Sequence, residues 1–305
     1  MPTLRKLLLI ILPIVLLASL IEALVLSRRA GGFDWRAAGV SLLDLLGRRG
    51  LDATGVSLSG VILAALWRHR LGTVPLDTAG AFLALFLGQE FCYYWYHRAS
   101  HRVRWLWNTH SVHHSPNELT LSAAYRIGWL QHLSGGVVFF APLVWLGFPP
   151  EAVLGVLALN LLYQFWLHTT WIPRLGWLEL LINTPSSHRV HHASNLDYLD
   201  ANYGGVLILF DRLFGTYVPE RTEEPCVYGL VKPVTTHHVL WIEFAPWVAL
   251  ARDLAGARSL REALGWLFAP PGWRPGGRGE TTEDLRAARA RTTAALSGEP
   301  IGVQG

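Results

Sequence analysis

The chain has 305 residues, 51% of them hydrophobic and only 16% charged, with a formal net charge of +4. That charged fraction is well under the quarter or so typical of soluble domains and points to a membrane protein. The positive balance is almost all arginine set beside apolar runs, which excludes a nucleic-acid stripe, and two cysteines, Cys92 and Cys226, exclude a disulfide framework and a CxxC zinc site.

The first apolar run covers residues 7–26, is interrupted by Glu22, and is long enough to cross a bilayer. Arg5 and Lys6 ahead of it resemble a secretory signal. The run is too long for one, however, and Arg28 and Arg29 follow without a small-x-small cleavage site, so an uncleaved anchor is expected. A weaker apolar segment, 56–67, follows an arginine-rich loop, and residues 1–72 read as an anchor plus this second segment. Residues 79–96, 129–148 and 151–172 are further candidate spans. Tryptophan and leucine with sparse charges over 236–268 predict amphipathic helices on the bilayer surface. A Pro/Gly break at 269 and a polar stretch to 305 leave room for a short helix, but a disordered tail is the expectation. The expected fold is all-α: a polytopic membrane protein of four or five transmembrane helices with a cytoplasmic histidine-rich helical cap, its catalytic unit spanning 73–235.

Eight of the 13 histidines fall in three short motifs, HRASH (His97, His101), HSVHH (His110, His113, His114) and HRVHH (His188, His191, His192). Residues three or four apart share one helix face, so each motif aims its imidazoles one way, as a metal requires. Thr184 and Pro185 suit the start of a helix carrying the third motif, and Ser115-Pro116 suits the end of one carrying the second. A span ending near Tyr96, a crossing away over 129–148 and a return over 152–172 bring all three motifs to one membrane face. Arg98, Arg102, Arg104, Arg126, Arg174 and Arg189 lie there too, which makes that face cytoplasmic. Eight imidazoles exceed one zinc shell, so two metals are the economical reading.

Other polar groups carry two readings each. His168 is either a ninth ligand at a span end or a plain intramembrane histidine. Glu90, seven residues before His97, either orients an imidazole from behind or is a buried carboxyl paired with Gln89 or a neighbouring helix. Gln164 sits four residues before His168. Asn195, Asp197, Asp200 and Asn202 surround the third motif and either support its ligands or cap a loop. His69, His132, His237 and His238 lack partners at ligand spacing and read as interfacial, core or solvated residues.

From about Gln89 to Pro233 the chain resembles the sterol desaturase/fatty acid hydroxylase superfamily of integral-membrane di-iron oxygenases. The three histidine motifs match its boxes in order and spacing, and residues 163–217 (YQFWLHTTWIPRLGWLELLINTPSSHRVHHASNLDYLDANYGGVLILFDRLFGTY) are similar to the branch with alkylglycerol monooxygenase and C-5 sterol desaturase-like bacterial proteins. One departure is Arg102, where the ether-lipid monooxygenases carry a glutamate directly after the first box. Gln164 is another: some fatty acid hydroxylases have a further histidine there. The resemblance implies two iron ions as cofactor, with the histidines as ligands and no catalytic residue separate from them. It implies O2-dependent hydroxylation or desaturation of a lipid C–H bond, the lipid (sterol, fatty acyl or ether lipid) entering from the bilayer. With no fused haem or flavin module visible, electrons are expected from a separate ferredoxin, cytochrome or reduced pterin. No nucleic-acid partner is expected. The alternative is a non-catalytic zinc- or iron-holding membrane protein of the same fold.

Overall fold

The computed structural model describes residues 2–29, 31–54, 58–277 and 279–297. These are helices, turns and loops, with three isolated bridge pairs and no strand among them. Helix α1 (Pro2–Leu26) has a single acidic residue, Glu22, and buries it. Its Oε2 accepts the Leu121 N–H at 2.5 Å and its Oε1 the Thr169 hydroxyl at 2.7 Å. A buried carboxyl satisfied in this way fixes the helix against two loops of the central body rather than leaving it a loose leader.

Helices α2 (Trp35–Ala53) and α3 (Leu58–Arg68) come next, then α4 (Ala79–Arg102), whose first turn is capped by Thr78. Val103 adopts an extended conformation (φ −121°), ending α4 and letting α5 (Arg104–His113) start in a new direction. This single-residue break folds the second histidine motif back towards the first. After three 3-10 turns come α6 (Ala141–Leu146) and α7 (Pro150–Phe165). Leu63, Leu85, Cys92, Tyr93, Phe140, Val144 and Val153 form the largest apolar core, between α3, α4, α6 and α7. Cys92 is packing there, as expected from its place in an apolar run.

The span pattern differs from the sequence expectation. No single helix among the described residues is long and apolar enough to cross a membrane. Two bent pairs are, by length and composition: α2 with α3, and Leu121–Leu133 with Gly136–Leu146, the latter bent by 92°. Residues 129–148, read as one crossing, break at Gly135, which takes φ +80°. Next to it Gly136 lies against Tyr96, where a Cβ would come within 2.5 Å of the ring, so the chain turns where only glycine fits. Residues 151–172 also fall short: α7 stops at Phe165 after 16 residues, ~24 Å of helix against the ~30 Å of a bilayer core. Many large side chains still face outward, among them Ile14, Leu17, Leu43, Leu83, Leu159 and Leu181.

Two of the arginines counted towards topology are not surface charges. Arg126 is 3% exposed and Arg189 7%. Arg126 donates to Ser41, Ser115 and the Ala37 carbonyl, and Arg189 pairs with Glu220 at 2.7 Å. Both are held inside by ligands that replace water.

Helices α8 (Pro185–His191) and α9 (Leu209–Leu213) complete the cap. Residues 236–268 contain α10 (Val239–Ala255) and α11 (Leu260–Phe268). The stretch read as a disordered tail contains α12 (Thr282–Ser297). It is tied down by polar groups, not apolar ones: Arg286 donates to the Leu196 and Leu199 carbonyls, and Arg289 pairs with Asp197. A polar composition conceals this kind of attachment from a sequence reading.

Candidate metal centre

Three helices supply the three motifs. His97 and His101 lie one turn apart near the end of α4, and His110, His113 and His114 occupy the last turn of α5 and its cap. On α8, Thr184 caps through Ser187 N and Pro185 takes the first turn, so His188, His191 and His192 follow within two turns, as the sequence suggested. His168 comes from the unwound chain just after α7. Its Nδ1 is 2.8 Å from the Gln164 carbonyl.

These nine imidazoles converge in two adjacent groups. One holds His97, His101, His110, His114 and His191; the other holds His113, His168, His188 and His192. Within each group one nitrogen per residue lies within 4.8 Å of all the others. The groups abut: the His114 and His192 rings stack with centroids 4.3 Å apart. His69, His132, His237 and His238 stay outside. His132 meets Asp52 at 2.9 Å, His237 meets Asp34 at 3.2 Å, and His238 caps α10.

The hydrogen bonds behind the rings determine which nitrogen is free. A carbonyl only accepts, so a ring nitrogen bonded to one carries the proton and its partner nitrogen keeps a lone pair. His97 Nδ1 meets the Tyr203 carbonyl at 2.9 Å, His191 Nδ1 that of Ala201 at 2.9 Å, and His113 Nδ1 that of Arg126 at 3.0 Å. His168 is fixed likewise by Gln164. The Nε2 atoms of all four therefore present lone pairs to the interior. His113 Nε2 and His168 Nε2 lie 3.2 Å apart with neither holding a proton to share. Two lone pairs at that distance repel unless a cation lies between them. His101 Nε2, His188 Nδ1 and His191 Nε2 are buried with no hydrogen-bond partner among the described residues. The donor set fits metal ions and leaves the protein alone unsatisfied.

Burial excludes the charged imidazole as well. It pulls His113 down to about 4 and His191 to about 3, the latter against the opposing pull of the Ala201 carbonyl. Both rings are neutral ligands at pH 7.

The residues expected behind the ligands divide. Asp200 reaches the shell, 3.8 Å from His101 Nδ1, while also binding Arg102 at 2.7 Å. Gln164 acts on His168 through its main chain; its side chain accepts from Tyr93 and donates to Asn160. Glu90 touches no imidazole. Seven residues of helix put it ~10 Å below His97, where it accepts from Asn160 at 2.5 Å and from the Val206 and Leu207 N–H groups at 2.8 Å. Of its two readings, the buried carboxyl tied to a neighbouring helix is the observed one. Asn195 bonds loop backbone at Pro225 and Val227, while Asn202 ties the loop at Val218 to α8, donating to the Ser187 carbonyl of that helix.

The orienting groups missed by the sequence are main-chain carbonyls of Arg126, Ala201 and Tyr203, together with Asp211 and Asn160. Asp211 accepts the Tyr203 and Gly204 N–H groups at 2.7 Å each and so sets the carbonyl that holds His97. Asn160 packs against Gly205, where a Cβ would come within 2.1 Å of its amide. Carbonyls have no residue signature. The NYGG run between two acidic residues was the one available hint.

The family model for fatty acid hydroxylases matches residues 82–216. That stretch contains every one of the nine converging histidines. Residues 82–216 are thus similar to a fatty acid hydroxylase domain. The chain is 40% identical to alkylglycerol monooxygenase of Homo sapiens over 212 residues, 69% of this chain and 47% of that protein. It is 40% identical to the Danio rerio alkylglycerol monooxygenase over 203 residues (67% and 45%), and 33% identical to ornithine lipid hydroxylase OlsE of Rhizobium tropici over 128 residues (42% and 39%). The chain thus spans about half the length of the alkylglycerol monooxygenases it matches. No solved structure matches it.

Proposed function

We propose that this protein is a membrane-bound non-haem di-iron oxygenase that hydroxylates a C–H bond of a lipid. The observation that carries the reading is the convergence of nine neutral imidazoles, four with locked lone pairs, in two groups inside the stretch similar to a fatty acid hydroxylase domain. One iron would be held among His97, His101, His110, His114 and His191, and the second among His113, His168, His188 and His192. When bound, such a centre supplies the reduction of O2 and the oxidising power needed at an unactivated C–H bond. The group of five exceeds the four-ligand shell of a structural zinc ion, which speaks against the zinc-holding alternative there.

The chain's own residues set the conditions for that chemistry. The carbonyls of Tyr203, Ala201, Arg126 and Gln164 hold the ligand tautomers, and burial keeps water and protons from the shell. A cavity of about 70 Å³ bounded by Tyr93, Tyr96, Leu161 and Phe165 reaches His97, His110, His113 and His168 from the side of the apolar helices, with no charged side chain in its wall. An alkyl segment suits it.

Alkylglycerol monooxygenase and ornithine lipid hydroxylase among the relatives favour hydroxylation over desaturation, and an ether or acyl chain on a polar head as substrate. The apolar helices would lie in the bilayer with the histidine shell at its cytoplasmic side, supported by the outward aliphatic side chains of α1, α4 and α7. O2 and a separate electron donor complete the reaction.

The test is metal analysis of protein purified without oxygen, together with lipid analysis of cells that express it. Two irons per chain and an oxygenated lipid that requires both His113 and His191 are expected. Zinc alone with unchanged lipids overturns the reading.

A further inference from the structure

Glu90 is a buried carboxyl, 1% exposed, on the helix that carries the first motif, yet it touches no imidazole. Its two oxygens serve two different neighbours. Oε2 accepts the Val206 and Leu207 N–H groups at 2.8 Å each. Those amides belong to the loop whose Tyr203 carbonyl holds His97 Nδ1, and Asp211 takes the Tyr203 and Gly204 N–H groups at its other end. Two carboxyl groups therefore clamp the loop 203–207 from both ends. Gly205 at its centre lets it close on Asn160 of α7, as only glycine can.

The other oxygen starts a chain through α7. Oε1 accepts from Asn160 Nδ2 at 2.5 Å, Asn160 Oδ1 from Gln164 Nε2 at 2.6 Å, and Gln164 Oε1 from the Tyr93 hydroxyl at 3.1 Å. Asn160 and Gln164 stand one turn apart on α7, and the Gln164 carbonyl holds His168 Nδ1. All four side chains of this chain are buried, where water does not replace a lost hydrogen bond. Glu90 thus reaches one ligand in each histidine group through a backbone carbonyl: His97 of the five by the loop, and His168 of the four by α7. Asp211, by contrast, holds the loop alone.

We propose that Glu90 is a positioning residue for both metal sites, joining the supports of His97 and His168 in one hydrogen-bonded network between α4, α7 and the loop 203–207. Its effect on metal binding rests on the di-iron reading; the network itself does not.

The test reads the network without metal and its consequence with metal. Glu90→Leu removes every acceptor at the root. In the metal-free protein, amide hydrogen exchange should quicken about tenfold at Val206 and Leu207, and at Leu167 and His168, whose N–H groups close the turn after α7. Titration with Co2+, followed by visible absorption, should show two ions bound in the wild type and both weakened by about 10–100-fold in Glu90→Leu. Glu90→Gln should bring both readouts back to within about threefold of wild type. Its side-chain carbonyl can take the two loop amides, and the Asn160 and Gln164 amides can invert so that no bond in the chain is lost.

Asn160→Ala cuts the α7 branch alone, and it carries the test should Glu90→Leu not fold. Exchange should quicken at Leu167 and His168 but not at Val206 and Leu207, and one Co2+ should weaken while the other does not. Unchanged exchange or unchanged Co2+ affinity in Glu90→Leu overturns the proposal. So does a Glu90→Gln protein that loses both ions as Glu90→Leu does, or equal weakening of both ions in Asn160→Ala. A wild-type protein that binds fewer than two Co2+ ions, with exchange changing as expected, would count against the di-iron reading and not against the network.

Discussion

The two histidine groups are built differently. The group of five draws on all three helical motifs, α4, α5 and α8, and every member belongs to a motif readable as text. The group of four needs His168, a lone histidine brought in by chain that has already left α7. Periodicity on a helix is enough to aim neighbours at one point. A ligand from a loop has to be aimed by its surroundings, here the Gln164 carbonyl and the clamp of Glu22 on adjacent Thr169. The lesson is that one motif-poor residue limits the second site as strictly as five motif-rich ones define the first.

That contrast can be broken most sharply by His191→Ala. Turnover should fall below detection and bound iron should drop from two towards one, read by metal analysis and product formation; retained activity would remove the group of five from the mechanism. His168→Ala should likewise abolish turnover while leaving the group of five its ion, so that iron again falls towards one. Two irons retained in that variant would show that the remaining three histidines suffice.

Asp211→Asn probes orientation without touching a ligand. Loosening the Tyr203 carbonyl should cost about 10–100-fold in iron affinity or activity, with folding retained. Equal affinity and activity in the variant would make Asp211 a loop residue only.

The last effect concerns pH and the stability of the metal-free protein rather than turnover. His113 and His191 have folded-state values of about 4 and about 3 against an ordinary 6.5, so below 6.5 the unfolded chain binds protons that the folded chain refuses. Stability from these groups is full above 6.5 and is lost as pH falls through the window down to about 4 for His113 and about 3 for His191. Each titrating ring contributes a slope of about 1.4 kcal/mol per pH unit within its window. Denaturant titrations of the metal-free protein at pH 7, 6 and 5 should show it, and a flat profile would mean that the rings are hydrated rather than buried.

Legibility divides along a physical line. The three motifs, the cap at Thr184 and the end of α5 before Ser115-Pro116 were readable because helix geometry and capping act over a few residues. The crossing assigned to 129–148 was not, because hydropathy counts apolar residues and does not register a turn at Gly135 against Tyr96. Glu90 was placed on the right helical face and given the wrong partner as one of its two readings, since a seven-residue offset is ~10 Å along the axis. That the C-terminal helix is ordered was not legible because its attachments are ion pairs and carbonyl contacts to residues some 90 positions away, such as Arg286 to Leu196.

What the amino-acid sequence determined by itself is the chemistry available: eight clustered imidazoles, an apolar body and the family they resemble. What only the tertiary structure decided is how those imidazoles are shared between two groups and which nitrogen each presents. Spacing along one helix sets which side chains face together. Backbone carbonyls from distant loops set where their lone pairs point, and no residue name records that.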